Sequence, residues 1–89
     1  MLMGRLGIVV YSNSEGVSKS LYTLYMDQES LYVKGPFTYV QIDRHVVSNL
    51  SSSGILRKEV ILVAAKVVHK FGVSRDQART LRMWKNFPY

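Results

Sequence analysis

The chain has 89 residues, a length for one small domain, and its 47% hydrophobic and 20% charged content is that of a folded globular protein rather than a disordered one. It contains no cysteine, which excludes a disulfide framework, thiol chemistry and a Cys-based zinc site, and suits a reducing, cytoplasmic setting. The net charge of +6 is unevenly held: residues 1–50 carry four basic and four acidic side chains, residues 51–89 carry eight and two, so the C-terminal part is expected to face a polyanion.

No targeting or membrane segment is expected. The apolar run Ile8 to Tyr11 is too short for a signal-peptide core, and Val60 to Ala65 is stopped by Lys66. One domain, residues 1–89, is anticipated, and its small core makes a homodimer unsurprising.

The first half, residues 1–42, reads as strands. Arg5 to Ser12 is rich in β-branched residues and runs into Ser-Asn-Ser-Glu-Gly, a set of turn formers. Lys19 to Met26 is aromatic and aliphatic, and Asp-Gln-Glu-Ser follows it. Leu31 to Lys34 precedes Gly35-Pro36, a turn signal, and Phe37 to Ile42 makes a fourth strand. Short connections favour an antiparallel meander. An alternative for Ser14 to Met26 is a helix capped by Ser14, with Val17, Leu21, Leu24 and Tyr25 on one face. Tyr22, Thr23 and Tyr25 favour the strand.

The second half, residues 43–89, reads as helices. Asp43 would cap a short helix through Leu50, and Ser51-Ser52-Ser53-Gly54 would break it. From Leu56 to Phe71, Val60, Ile61, Ala64, Val67, Val68 and Phe71 fall on one apolar helical face, opposite Glu59, Lys66 and Lys70. Gly72 is placed to end that helix. Ser74 caps the next, with Asp76 in its first turn, and the helix is expected to reach about Trp84. Trp84 and Phe87 read as packing residues near a terminus where Pro88 prevents continuation.

Val67 to Leu81 resembles the helix-turn-helix motif of many DNA-binding proteins. Val67 and Phe71 end a first helix, Gly72 turns, Val73 plugs the space between two crossing helices, Ser74 caps, and Ala78 and Leu81 face inward. The resemblance covers about residues 60–84. It implies that the helix from about Ser74 to Trp84 enters the major groove of double-stranded DNA. By that analogy Ser74, Arg75, Gln77 and Arg79 are base-reading candidates, and Arg82, Lys85, Lys66 and Lys70 are phosphate contacts. Two-fold pairing would double the footprint, which again points to a homodimer.

The remaining chemistry is sparse. Tyr11, Tyr22, Tyr25, Tyr32 and Tyr39 all lie in the strand half, where they could stack unpaired bases or form a partner surface. That half is electrically neutral, which weighs against stacking. His45 and His69 have no ligand at metal spacing. No nucleophile–base pair or phosphate loop is present, so neither an enzyme nor a cofactor is implied. The expectation is thus an α+β domain, a short N-terminal antiparallel meander followed by a helical helix-turn-helix unit, acting as a small transcriptional regulator that binds DNA. The alternatives are an RNA-binding or ribonucleoprotein component using the same basic helices, and a protein-interaction module.

Overall fold

The computed structural model describes residues 4–55 and 57–86. Among the described residues, seven strands form one antiparallel sheet and a single α-helix follows. The strands are β1 (Gly4–Asn13), β2 (Ser20–Met26), β3 (Ser30–Lys34), β4 (Tyr39–Asp43), β5 (Val47–Ser53), β6 (Lys58–Ala64) and β7 (Val67–Val73), and the helix is α1 (Arg75–Lys85). The strand order is β4-β3-β2-β1-β7-β6-β5. The first four strands are the expected meander. The last three form a second meander, joined to the first by the β1–β7 ladder.

This order forces the sheet to curl. β4 and β5 are its two edges, yet only the 3-10 turn Arg44–Val46 separates them in the chain. A flat sheet of this width would place them about 29 Å apart at ~4.8 Å per strand. The connection spans at most about 14 Å even when extended. The inward side chains accordingly form one core: Val9 and Tyr11 of β1, Leu24 and Met26 of β2, Leu31 and Val33 of β3, Ile42 of β4, Val60, Leu62 and Ala64 of β6, and Phe71 and Val73 of β7. Their period of two is what a sheet with one buried face requires.

Helix α1 closes one end of this curled sheet. Ser74 is its N-cap: its hydroxyl accepts from the Gln77 N–H, and the Gln77 side chain accepts from the Ser74 N–H. Ala78, Leu81 and Trp84 are buried against the core. The Trp84 indole N–H donates to the carbonyl of Asp27 at 2.9 Å, tying the helix to the β2–β3 turn. The Asp27 carboxylate accepts from the N–H groups of Glu29 and Ser30 and from the Tyr32 hydroxyl, which hold its pKa below the ordinary carboxylate value.

The helix-turn-helix expectation is overturned, because α1 is the one α-helix among the described residues. The segment read as a helix from Leu56 to Phe71 is mainly the β6–β7 hairpin; Leu56 itself lies outside the described residues. Its turn is Ala65-Lys66, both at positive φ (50° and 68°), with Ala64 paired to Val67 across it. Val73 is the last residue of β7 and packs into the sheet core, so it plugs no helix crossing. The helix expected after Asp43 is only the 3-10 turn, and Ser51 to Ser53, read as a break, belong to edge strand β5. Gly72 is a strand residue outside the left-handed region; a Cβ there would lie 3.2 Å from Val10 Cβ. With no second helix, the half-site geometry that suggested a two-fold dimer loses its basis. The helix expected from Ser74 to about Trp84 does form, with Ala78 and Leu81 inward. The Ser14 to Met26 alternative does not: Ser20–Met26 is strand. Phe87 and Pro88 lie outside the described residues.

Candidate nucleic-acid interface

Apart from Lys66, the basic residues of the C-terminal part fall around two features, the helix α1 and a hollow on the sheet. On the helix, Arg75, Arg79 and Arg82 are spaced i, i+4, i+7 and so share one ridge. All three are exposed, on the side away from Ala78, Leu81 and Trp84. Arg82 reaches back to the Ser52 hydroxyl at 3.2 Å, and half-buried Lys85 lies beside it against β5.

The second feature lies on the outer, solvent-facing side of the sheet. In β1, Val9 and Tyr11 point inward, so Ile8, Val10 and Ser12 point out. The ladders then set the cross-strand rows: Ser12 faces Lys70, and Val10 faces Gly72 on one side and Leu21 on the other. Gly72 contributes no side chain, so a hollow of about 380 Å³ opens there, edged by Lys19, Arg57, Lys58, Lys70 and a single acid, Glu59. A neighbouring hollow shares Val10, Arg57 and Gly72 with it and extends to Ser74 and Gln77. Arg57 therefore stands between the sheet cluster and the start of the helix. Lys58 is anchored by donating to the Gly54 carbonyl at 2.8 Å.

The residues singled out from the sequence divide accordingly. Arg75, Arg79 and Arg82 come together, with Lys85 at the end of their helix. Lys70 joins the sheet cluster. Lys66 sits in the β6–β7 turn, about 25 Å from Ser74 at ~3.3 Å per residue along β7, and belongs to neither group. Ser74 and Gln77 are committed to the helix cap. The Gln77 amide also donates, at 3.4 Å, to the carbonyls of Leu6 and Ile8 beside the β1 bulge. Gly7 at φ +127° makes room for it, since a Cβ there would lie 2.8 Å from Gln77 Nε2. Lys19, Arg57 and Lys58 went unnoticed because strand pairing, not sequence proximity, assembles their cluster.

Two other features compare poorly as sites. A cleft between β4 and the β6–β7 turn is bordered by Glu15, Asp43 and buried His69 and has no cluster of cations. There the Asn13 side-chain Oδ1 accepts from the Glu15 and Val17 N–H groups, which directs its Nδ2 to donate to the Tyr11 oxygen. The Tyr11 hydroxyl proton is then free to bond His69 Nδ1, 2.6 Å away. Burial holds the His69 pKa below its ordinary value and raises that of Tyr11. This is a satisfied core network. Among the described residues no group of His, Asp and Glu is placed to hold a metal ion, and no helix is long and apolar enough to cross a membrane. No protein-family model and no curated protein matches the chain.

Proposed function

We propose that the domain binds nucleic acid through its phosphate backbone, using a basic belt rather than a helix inserted for base reading. One observation carries this: exposed cations gather in two groups, Lys19, Arg57 and Lys70 around the outer hollow, where Glu59 is the one acid, and Arg75, Arg79 and Arg82 on the helix ridge, and the second hollow, which Arg57 also lines, reaches the start of the helix at Ser74 and Gln77. Clustered cations at an exposed surface release condensed counterions when they meet phosphates, and that release drives binding. Ser74 and Gln77 are occupied by the cap, which removes two of the four base-reading candidates and favours weak sequence preference.

Salt-dependent binding of duplex DNA, structured RNA and single strands tests the reading. Affinity is expected to fall steeply with salt, and Arg75→Ala and Arg79→Ala should each lower the log–log slope by about 1. Absence of binding to all three polymers at low salt would refute it. A second reading has a separate observation behind it. β5 is an open edge, flanked by Arg82 and Lys85, and could accept an extended acidic peptide as an added strand. The bulge between Val47 and Asn49 confines such pairing to the later part of β5. Salt-sensitive capture of acidic peptides, with no nucleic-acid binding, would favour it.

A further inference from the structure

Building on the nucleic-acid reading, we propose that the outer face of β2, β3 and β4 is a stacking platform for unpaired bases, which directs the domain to single-stranded nucleic acid. Tyr25 stands directly opposite Tyr32 in the β2–β3 ladder, and Lys34 opposite Tyr39 in the β3–β4 ladder, so the four side chains share one face. This is the outer face, since Leu24, Leu31, Val33 and Ile42 occupy the inner one. Tyr25 and Tyr32 are half-buried and Tyr39 is 58% exposed. The rings of Tyr32 and Tyr39 lie 6.2 Å apart and tilted by 31°.

The arrangement is pre-ordered. The Tyr32 hydroxyl donates to Asp27 at 2.8 Å, which fixes its ring. The Lys34 ammonium lies 5.0 Å from the Tyr25 centroid and 5.6 Å from that of Tyr39. Such a contact at an exposed site is weak, so an arriving base can displace the ammonium from a ring face and leave it to pair with phosphate.

Arg5 and Lys34 balance Asp27 and Asp43 on this face, so its cationic company comes from where those groups sit and from the neighbouring strands. Arg5 stands opposite Tyr25 in the β1–β2 ladder, putting a cation beside the aromatic row. Lys19, just before β2, precedes Thr23, the neighbour of Lys34, by about 13 Å at ~3.3 Å per residue. Lys70 and Arg57 continue the positive surface past β1. Asp27 and Asp43 lie at the opposite end of β3 and β4 from Lys34. Both are engaged internally, Asp43 accepting from the Ser30 hydroxyl and the Gln41 amide. Their repulsion would keep a bound backbone on the Lys34 side. Aromatic rings beside a cationic track are the general requirement for binding single strands with little sequence preference.

The test measures binding of a homothymidine strand, a homouridine strand and an equal-length duplex to the whole chain at fixed low salt. The wild type should prefer the single strands, and the two strands distinguish DNA from RNA. Tyr39→Ala, on an exposed edge-strand position, should weaken single-strand binding about tenfold and leave duplex binding unchanged, and Tyr39→Trp should restore it. Duplex preference by the wild type, or a Tyr39→Ala effect that is equal for all three or absent, would overturn the platform while leaving the belt in place. Failure of all three polymers to bind would overturn the belt as well.

Discussion

Replacing Ala65-Lys66 with Asn-Gly should stabilise the protein, and the sign of the effect separates the hairpin from the helix that the local sequence suggests. Both residues sit at positive φ, 50° and 68°, in the two-residue turn joining β6 to β7. A left-handed conformation costs a residue with a Cβ about 1–2 kcal/mol. Asn tolerates it and Gly adopts it freely, which is why Asn-Gly dominates such turns. Glycine returns about 0.5–1 kcal/mol as unfolded-state entropy. The net expectation is about 1 kcal/mol of added stability, or a rise in Tm of about 4–8 °C for a domain this size. Both side chains are exposed, and the hydrogen bond from the Ala65 N–H to the Val46 carbonyl is kept. In a continuous helix the same pair would lose about 1.5 kcal/mol of propensity. Urea unfolding followed by circular dichroism gives the sign directly, provided the m-value is unchanged. A lowered midpoint would refute the account of this turn.

The remaining predictions probe the core, a turn and the buried histidine. Trp84→Ala should cost about 3–5 kcal/mol by emptying its site under the helix, whereas Trp84→Phe should cost about 1–2 kcal/mol, chiefly the indole bond to Asp27; thermal melts rank the two. Gly54→Ala should destabilise more than Gly16→Ala. Both glycines have φ +106°, but a Cβ at Gly54 would collide with the Arg57 carbonyl while one at Gly16 meets open space. Backbone strain alone is worth about 1–3 kcal/mol, and the excess at Gly54 measures the collision. Stability should decline as pH falls below about 6.5. The unfolded chain protonates His69 there while burial keeps the folded imidazole neutral, so the loss grows until pH reaches the lower folded pKa. His69→Gln should flatten that limb of a midpoint-versus-pH curve. The limb caused by Asp27 and Asp43, whose pKa values are held down by hydrogen bonds, begins only below about 3.8.

The first four strands were legible because alternation and turn chemistry agree there. Val9 and Tyr11, or Leu24 and Met26, alternate with outward residues, and the breaks at Ser14 to Gly16 and Gly35-Pro36 carry ordinary turn formers. Over Val60 to Phe71 the two periods compete. Val60, Ala64, Val67 and Phe71 satisfy a helical face, while Val60, Leu62 and Ala64, then His69, Phe71 and Val73, satisfy a strand. The density of β-branched residues favours strands, but a helix reading survives because the turn between them lacks Gly, Asn or Pro. Ser51 to Ser53 misled for a different reason. An edge strand with one exposed face can be built largely of serine, and serine clusters read as loops.

The site was legible where it lies on one element and hidden where the sheet assembles it. The ridge of Arg75, Arg79 and Arg82 follows from helical spacing once Ala78 and Leu81 are turned inward, whatever they pack against. Capping chemistry was equally visible at Ser74 and Gln77, and it should have removed both from the base-reading set, since a side chain closing a capping box has spent its polar groups. Dividing the charge by sequence halves concealed more. The first half is neutral by count, yet three of its four acids, Asp27, Glu29 and Asp43, gather at one end of β3 and β4, where Asp27 and Asp43 are engaged by neighbouring groups, while Arg5 and Lys34 share a face with Tyr25, Tyr32 and Tyr39. Pairing β7 to β1 then lays Lys70 beside Ser12, fifty-eight positions away in the chain. In a sheet, the charge that a ligand meets is set by residue parity and strand order. A neutral segment can therefore set cations beside an aromatic row, and only the ladder register reveals it.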